Sequence, residues 1–217
     1  MSGTVHDLFP IPLFEDNLPV PVRILEYIKS VEYFRHDTGY MSHKRILDDP
    51  QMSVIKKLIT QRVETYFYDC CQFSKKAKPV LISSWLNLHK NGDYGQPHFH
   101  ENSVISFVWY PLVDDQSGTF VMYPKMNLFG NTLSFPKNQN NKYNSGNLGF
   151  YPRNGDLYIF PSHMVHGVQE LRHEFDRYSL AGDYMITSPL RITPDSDITV
   201  NCEFKWKHLD KRNPELT

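Results

Sequence analysis

The strongest constraint on the fold is the texture of the chain from Pro79 to Ile186. Seven short segments there read as strands: Val80 to His89, Ser103 to Pro111, Thr119 to Tyr123, Leu148 to Tyr151, Gly155 to Pro161, Val165 to Glu170 and Arg177 to Ile186. Each is rich in aromatic and β-branched residues, the types that fit a pleated, half-buried surface. Turn signals such as Asn91-Gly92-Asp93, Gln116-Ser117-Gly118 and Asn154-Gly155-Asp156 separate them. Strands in succession, with no helical pattern between them, predict a sandwich, jelly roll or barrel. The polar stretch Asn138 to Asn147 reads as a loop, either lying over an active-site mouth or forming a plain surface insertion.

Before Pro79 the pattern is helical. Ile24, Leu25, Ile28 and Val31 recur at helical spacing within Val22 to Phe34, after Pro19 and Pro21. A longer helix is predicted from Asp49-Pro50, an N-cap followed by proline, through Cys70. The expected organisation is one domain over 1–217. Its parts are a helical support region (1–78), a β core (79–186) and a C-terminal extension (187–217) with one more strand over Ile198 to Trp206. Lys plus Arg number 23 against 24 Asp plus Glu, a balance that argues against nucleic acid or an anionic membrane as partner. Three cysteines, Cys70, Cys71 and Cys202, are too few for a disulfide framework. With no apolar run approaching the ~20 residues of a membrane span, the expected location is the cytoplasm.

Chemistry concentrates in two stretches. In Gln96-Pro97-His98-Phe99-His100-Glu101, extended backbone would put the imidazoles at i and i+2 on one face. A His-x-His pair alone is a modest signal, since two surface histidines produce it as well. The second stretch, Gly155 to Val168, reads as turn, apolar strand, tight corner and then His166 opening another strand. A mononuclear site needs ligands from separated segments, and His166 supplies the third. Three facial protein ligands leave three positions open on an octahedral metal, as non-haem iron requires to take a bidentate co-substrate and dioxygen together. A closed zinc site would want a fourth ligand, usually cysteine, and none lies near in sequence.

Eleven residues after His166, Arg177-Tyr178-Ser179 places Arg177 and Ser179 on one strand face. An arginine fork with a hydroxyl beside it suits the far end of a dicarboxylate, and a structural ion pair is the alternative use.

The ordered set Ser84-Trp85-Leu86-Asn87, Gly92-Asp93, Pro97-His98-Phe99-His100, Ser103 to Tyr110, Gly155 to Ser162, His166-Gly167-Val168 and Arg177-Tyr178-Ser179 resembles a 2-oxoglutarate/Fe(II) oxygenase family of marine bacteria and tailed phages. Leu8-Phe9-Pro10-Ile11-Pro12-Leu13 resembles that family's opening, so the likeness runs from roughly residue 8 to 186. The resemblance implies a double-stranded β-helix, a cupin-like jelly roll, supported by two helices. It also implies a prolyl-hydroxylase-like dioxygenase using Fe(II), 2-oxoglutarate and dioxygen to hydroxylate an unactivated C–H bond. Within it His98 and His166 are iron ligands, and Arg177 pairs with the distal carboxylate of 2-oxoglutarate with help from Ser179. Tyr110 would bond the same carboxylate, and Asn87 the co-substrate or an iron-bound water. No catalytic residue beyond the metal ligands is expected.

One position departs from the wider superfamily, which places Asp or Glu two residues after the first histidine, where this chain has His100. Three histidines leave the Fe(II)–2-oxoglutarate pair electrically neutral, where a carboxylate ligand would leave it negative. His100 is the expected third ligand; Glu101, re-aimed by a β-bulge, or a water are the alternatives. His163 is expected to be solvated. His6, His36, His43, His89, His173 and His208 have no partner at ligand spacing and read as surface or packing residues, and Trp85 and Trp109 read as core. Two other functions fit the same residues: a three-histidine cupin-like dioxygenase without 2-oxoglutarate, and a non-catalytic β-sandwich binding module. The substrate, a small molecule or a peptide, is not legible, and a homodimer is compatible with the sequence.

Overall fold

The structure, a computed structural model, describes residues 3–8, 10–36, 38–124, 136–187, 190–191 and 199–200. Among them, two antiparallel sheets face one another. The larger contains β1 (Phe14–Asn17), β2 (Phe34–His36), β3 (Gly39–Met41), β4 (Lys78–His89), β6 (Ile105–Leu112), β9 (Asp156–Pro161) and β11 (Arg177–Thr187), in the order β1-β9-β6-β11-β4-β3-β2. The smaller runs β5-β10-β7-β8, from β5 (Gly95–His98), β7 (Phe120–Tyr123), β8 (Leu148–Phe150) and β10 (Val165–Val168). Consecutive strands alternate between the sheets (β4 to β5, β6 to β7, β8 to β9, β10 to β11), the winding of a double-stranded β-helix.

The period-two alternation of each long strand decides what faces what. Leu86 and Leu88 of β4, Phe107 and Trp109 of β6, Leu157 and Ile159 of β9, and Tyr178 and Leu180 of β11 point outward and form one buried cluster with Ile24, Ile28, Ile55, Ile59 and Val63. Those last five lie on α1 (Val22–Ser30) and α2 (Ser53–Glu64), so the two expected helices cover the outer face of the larger sheet. Val108, Tyr110, Phe120, Met122, Tyr158 and Phe160 pack between the sheets. Burying a large apolar side chain contributes roughly 1.5–3 kcal/mol, so both clusters hold the sheets in register.

The front of the chain differs from its reading as helical support. Besides helices it donates β1 to one edge of the larger sheet and the β2–β3 hairpin to the other. The first helix stops at Ser30, because Val31 turns to extended backbone and leads into β2. Asp49 does not cap the second helix; its carboxylate accepts from the Tyr27 hydroxyl, and Pro50 opens a short 3-10 turn before α2. The loop 136–147 does not cover the histidine cavity, since none of its residues lines it, and Lys142 and Tyr143 bind Asp7 instead. The strand expected over 198–206 lies outside the described residues except at Thr199–Val200 (β13), which pairs with Leu190–Arg191 (β12). No helix among the described residues is long and apolar enough to cross a membrane.

Candidate metal centre and its cavity

Strand register brings the two histidine stretches together. His98 is the last residue of β5, and His166 is its direct partner across the β5–β10 ladder, so both rings stand on the same face. His100 lies two residues past the end of β5, where its backbone N–H donates to the Ser162 carbonyl at 3.0 Å. One ligand atom from each of the three rings lies within 4.8 Å of the others. The approach is tight because Gly167 lets β5 close on β10: a Cβ there would meet the Gly95 carbonyl at 2.9 Å. Glu101, the alternative side chain for the third position, is exposed in the following turn and outside this cluster; His163 is exposed at the corner before β10.

The hydrogen bonds fix the tautomers. His98 Nδ1 lies 2.7 Å from the Gln96 carbonyl, and His166 Nδ1 lies 2.9 Å from the Met164 carbonyl. Carbonyls only accept, so both Nδ1 atoms carry the proton and both Nε2 atoms present lone pairs. His100 Nδ1 faces Asp183 Oδ1 at 2.6 Å, which turns its Nε2 toward the Nε2 of His98, 3.3 Å away. Burial also depresses the rings' affinity for protons: it lowers His98, and it takes His166 down to about 3. Three imidazoles converging in this way suit a divalent first-row metal such as Fe(II).

These rings open on a cavity of about 530 Å3 between the sheets, which Asn87, Tyr110 and Ser179 also line. Asn87 and Ser179 are cross-strand partners on β4 and β11, and the Asn87 amide donates to Ser179 Oγ at 3.4 Å. Arg177 is the next inward residue of β11 and is 2% exposed. None of its three guanidinium nitrogens has a hydrogen-bond partner, and neither does the Tyr110 hydroxyl, although the guanidinium sits 5.1 Å from the centre of the Tyr110 ring. Burial lowers the Arg177 pKa and raises that of Tyr110 to about 12. A buried cation beside the neutral Tyr110 hydroxyl, which also draws it electrostatically, fits an anionic group carrying several acceptors. Arg177 itself does not line the cavity; its neighbours Tyr110, Ser179 and His89 do.

Three residues at this site were read otherwise from sequence. His89 is the cross-strand partner of Arg177 and lines the cavity. Burial, then the neighbouring guanidinium, pull its pKa down to about 4. Trp85 is not in the helix-side core like Trp109; it faces the cavity, 5.5 Å from the His100 ring. Asp183, which received no role, bonds His100 directly. Inward alternation on β4 and β11 could have pointed to all three, since Trp85, Asn87 and His89 share one face, as do Arg177, Ser179 and Asp183.

Fold and site together are those of a double-stranded β-helix with three histidines placed to hold one metal ion. Residues 83–183, which hold every residue of the site, match the model of the family described as "Putative 2OG-Fe(II) oxygenase". That segment is similar to the 2-oxoglutarate/Fe(II) oxygenases. The sequence matches no curated protein. Among solved structures, a Trichoplax adhaerens prolyl hydroxylase in complex with a hypoxia inducible factor peptide fragment superposes with a TM-score of 0.55 at 14% identity, covering 80% of this chain and 83% of its own. A Pseudomonas putida prolyl-4-hydroxylase gives 0.52 at 16% identity, covering 81% and 92%. HygX from Streptomyces hygroscopicus, with nickel and 2-oxoglutarate bound, gives 0.54 at 9% identity, covering 81% and 83%. At these identities the likeness is one of fold.

Proposed function

We propose that this protein is an Fe(II)- and 2-oxoglutarate-dependent dioxygenase of the cytoplasm that hydroxylates an unactivated C–H bond of a small molecule or peptide. In this reading His98, His100 and His166 hold the iron, and Arg177, Ser179, Tyr110 and Asn87 hold 2-oxoglutarate. The observation that carries it is three imidazoles whose ligand atoms lie within 4.8 Å of one another, with a buried guanidinium that makes no hydrogen bond of ordinary geometry. When bound, iron and 2-oxoglutarate supply the oxidising power: dioxygen converts the co-substrate to succinate and CO2, and its second oxygen atom becomes the product hydroxyl.

The chain's own residues bind, aim and exclude water. Arg177 can give a carboxylate two parallel N–H donors, and the Tyr110 and Ser179 hydroxyls can add to them. Three protein ligands leave room for a chelating keto acid and dioxygen. Val108, Phe120 and Phe160 make the neighbouring wall apolar, which keeps water from intercepting the oxidant. Tyr40 and Met41 of β3, Lys44, and Gln96 and Pro97 of β5 also line the cavity and are the side chains a substrate would meet there. The peptide held by the Trichoplax prolyl hydroxylase supports a peptide as one candidate substrate class.

The test is succinate formation by Fe(II)-loaded protein supplied with 2-oxoglutarate and dioxygen. The expected result is turnover that needs all three and disappears in Arg177→Met. Oxygen consumption that needs iron alone and survives Arg177→Met would overturn the reading in favour of a dioxygenase without 2-oxoglutarate.

A further inference from the structure

Asp183 is a buried carboxylate, 8% exposed, that stands one hydrogen bond behind the metal centre. It is the cross-strand partner of Ser106 on β6, and the β4–β11 ladder bulges immediately after it. A single oxygen, Oδ1, takes two contacts: His100 Nδ1 at 2.6 Å and Ser106 Oγ at 2.7 Å. Ser106 Oγ also lies 2.8 Å from Ser162 Oγ and 3.1 Å from His100 Nδ1.

The protons follow by elimination. A carboxylate only accepts, so Ser106 Oγ donates to Asp183, as it does to the fully buried Ser162 Oγ. His100 Nδ1 donates to the same carboxylate. The three ligand rings are therefore not equivalent. His98 and His166 lean on neutral backbone carbonyls, and His100 alone leans on a formal negative charge.

Resting on the three-imidazole reading above, we propose that Asp183 is a positioning residue that delivers to the metal, through His100, the negative charge that a directly bound carboxylate would supply. A hydrogen bond from Nδ1–H to a carboxylate locks the ring's orientation and makes Nε2 a stronger donor to the metal. Ser106 and Ser162 hold the carboxylate in the one rotamer that faces Nδ1. The arrangement keeps three nitrogen ligands and three open positions, and moves the anion one ring back. It answers the departure at His100: the carboxylate is not lost from the site but relocated to β11.

The test is anaerobic Co(II) titration of the full chain, followed by the Co(II) d–d absorption and by the number of imidazoles counted from X-ray absorption. Wild-type protein is expected to bind one Co(II) per chain. Asp183→Asn keeps an oxygen that accepts from Nδ1–H but removes the charge. It is expected to retain three imidazoles, shift the d–d bands and weaken affinity toward the upper part of the ~10–100-fold range typical of such outer partners. Ser106→Ala, which frees the carboxylate to rotate, is expected to weaken affinity less. Asp183→Ala removes both acceptor and charge and is expected to lose His100 from the ligand count; should it fail to fold, the near-isosteric Asp183→Asn still decides. Wild-type affinity and an unchanged spectrum in Asp183→Asn would overturn the proposal. So would metal binding lost in Asp183→Ala but kept in His100→Ala, which would make Asp183 a ligand. Failure of the wild type to bind Co(II), or wild-type binding by His166→Ala, would instead sink the three-imidazole reading, and this inference with it.

Discussion

Replacing Arg177 by methionine should make the co-substrate-free protein more stable and blind to 2-oxoglutarate. The guanidinium is fully buried, and none of its nitrogens has a partner. An unsatisfied buried polar group costs about 1–3 kcal/mol, more when charged, and methionine fills most of the same volume with no polar atom. For a domain of this size, with Tm moving ~2–4 °C per kcal/mol, that predicts a Tm higher by about 2–12 °C without 2-oxoglutarate. Wild-type protein gains about 2.7 kcal/mol from a ligand at one hundred times its Kd, hence a further rise of roughly 5–11 °C when 2-oxoglutarate is added. The variant should show no rise. Scanning calorimetry of the Mn(II)-loaded proteins, with and without 2-oxoglutarate, reads both effects together. The reasoning fails if Arg177→Met melts lower than wild type and still responds to 2-oxoglutarate, because the arginine would then have a structural partner and no co-substrate.

The remaining predictions use the same measurements. Gly167→Ala places a methyl group against the Gly95 carbonyl and should force β5 away from β10, costing about 1–3 kcal/mol. Since His98 ends β5, its metal affinity should fall too, as a Co(II) titration would show. His89 is held neutral by burial, with a folded-state pKa of about 4 against 6.5 for the free side chain. A base whose pKa is depressed on folding contributes stability that is complete above about 6.5 and lost as pH falls toward 4, because the unfolded chain takes up the proton first. His89→Gln should therefore flatten the Tm–pH curve between those values; an unchanged acid limb would show that another group governs it. Removing a ligand by His166→Ala should lower metal affinity more than the ~10–100-fold expected of an outer partner, with circular dichroism unchanged.

Much of the site was legible because strand geometry is simple. Period-two alternation placed Arg177 with Ser179, and the spacing of His98, His100 and His166 implied one metal from two strands. What sequence could not show is which residues lie opposite one another. His98 and His166 are 68 positions apart and meet only through the β5–β10 register. Asp183 reaches His100 from 83 positions away, on a strand where it reads as one more polar residue near an irregular end. His89 was dismissed as lone because its partner, Arg177, lies across a ladder. The short strands β1 and β2 were missed for a different reason. Residues on them are largely exposed, with a fully exposed β2, so no apolar alternation marks them. At the candidate third-ligand position, His100 and Glu101 differ by one place, and only the turn after β5 decides which side chain points inward.

Anaerobic visible absorption of the iron-loaded protein tests the central claim most directly. Adding 2-oxoglutarate to Fe(II)-loaded wild type should produce a weak charge-transfer band of a chelated keto acid, saturating at one equivalent and absent from His166→Ala. A folded, iron-loaded wild-type protein that gives no band at saturating 2-oxoglutarate would contradict it.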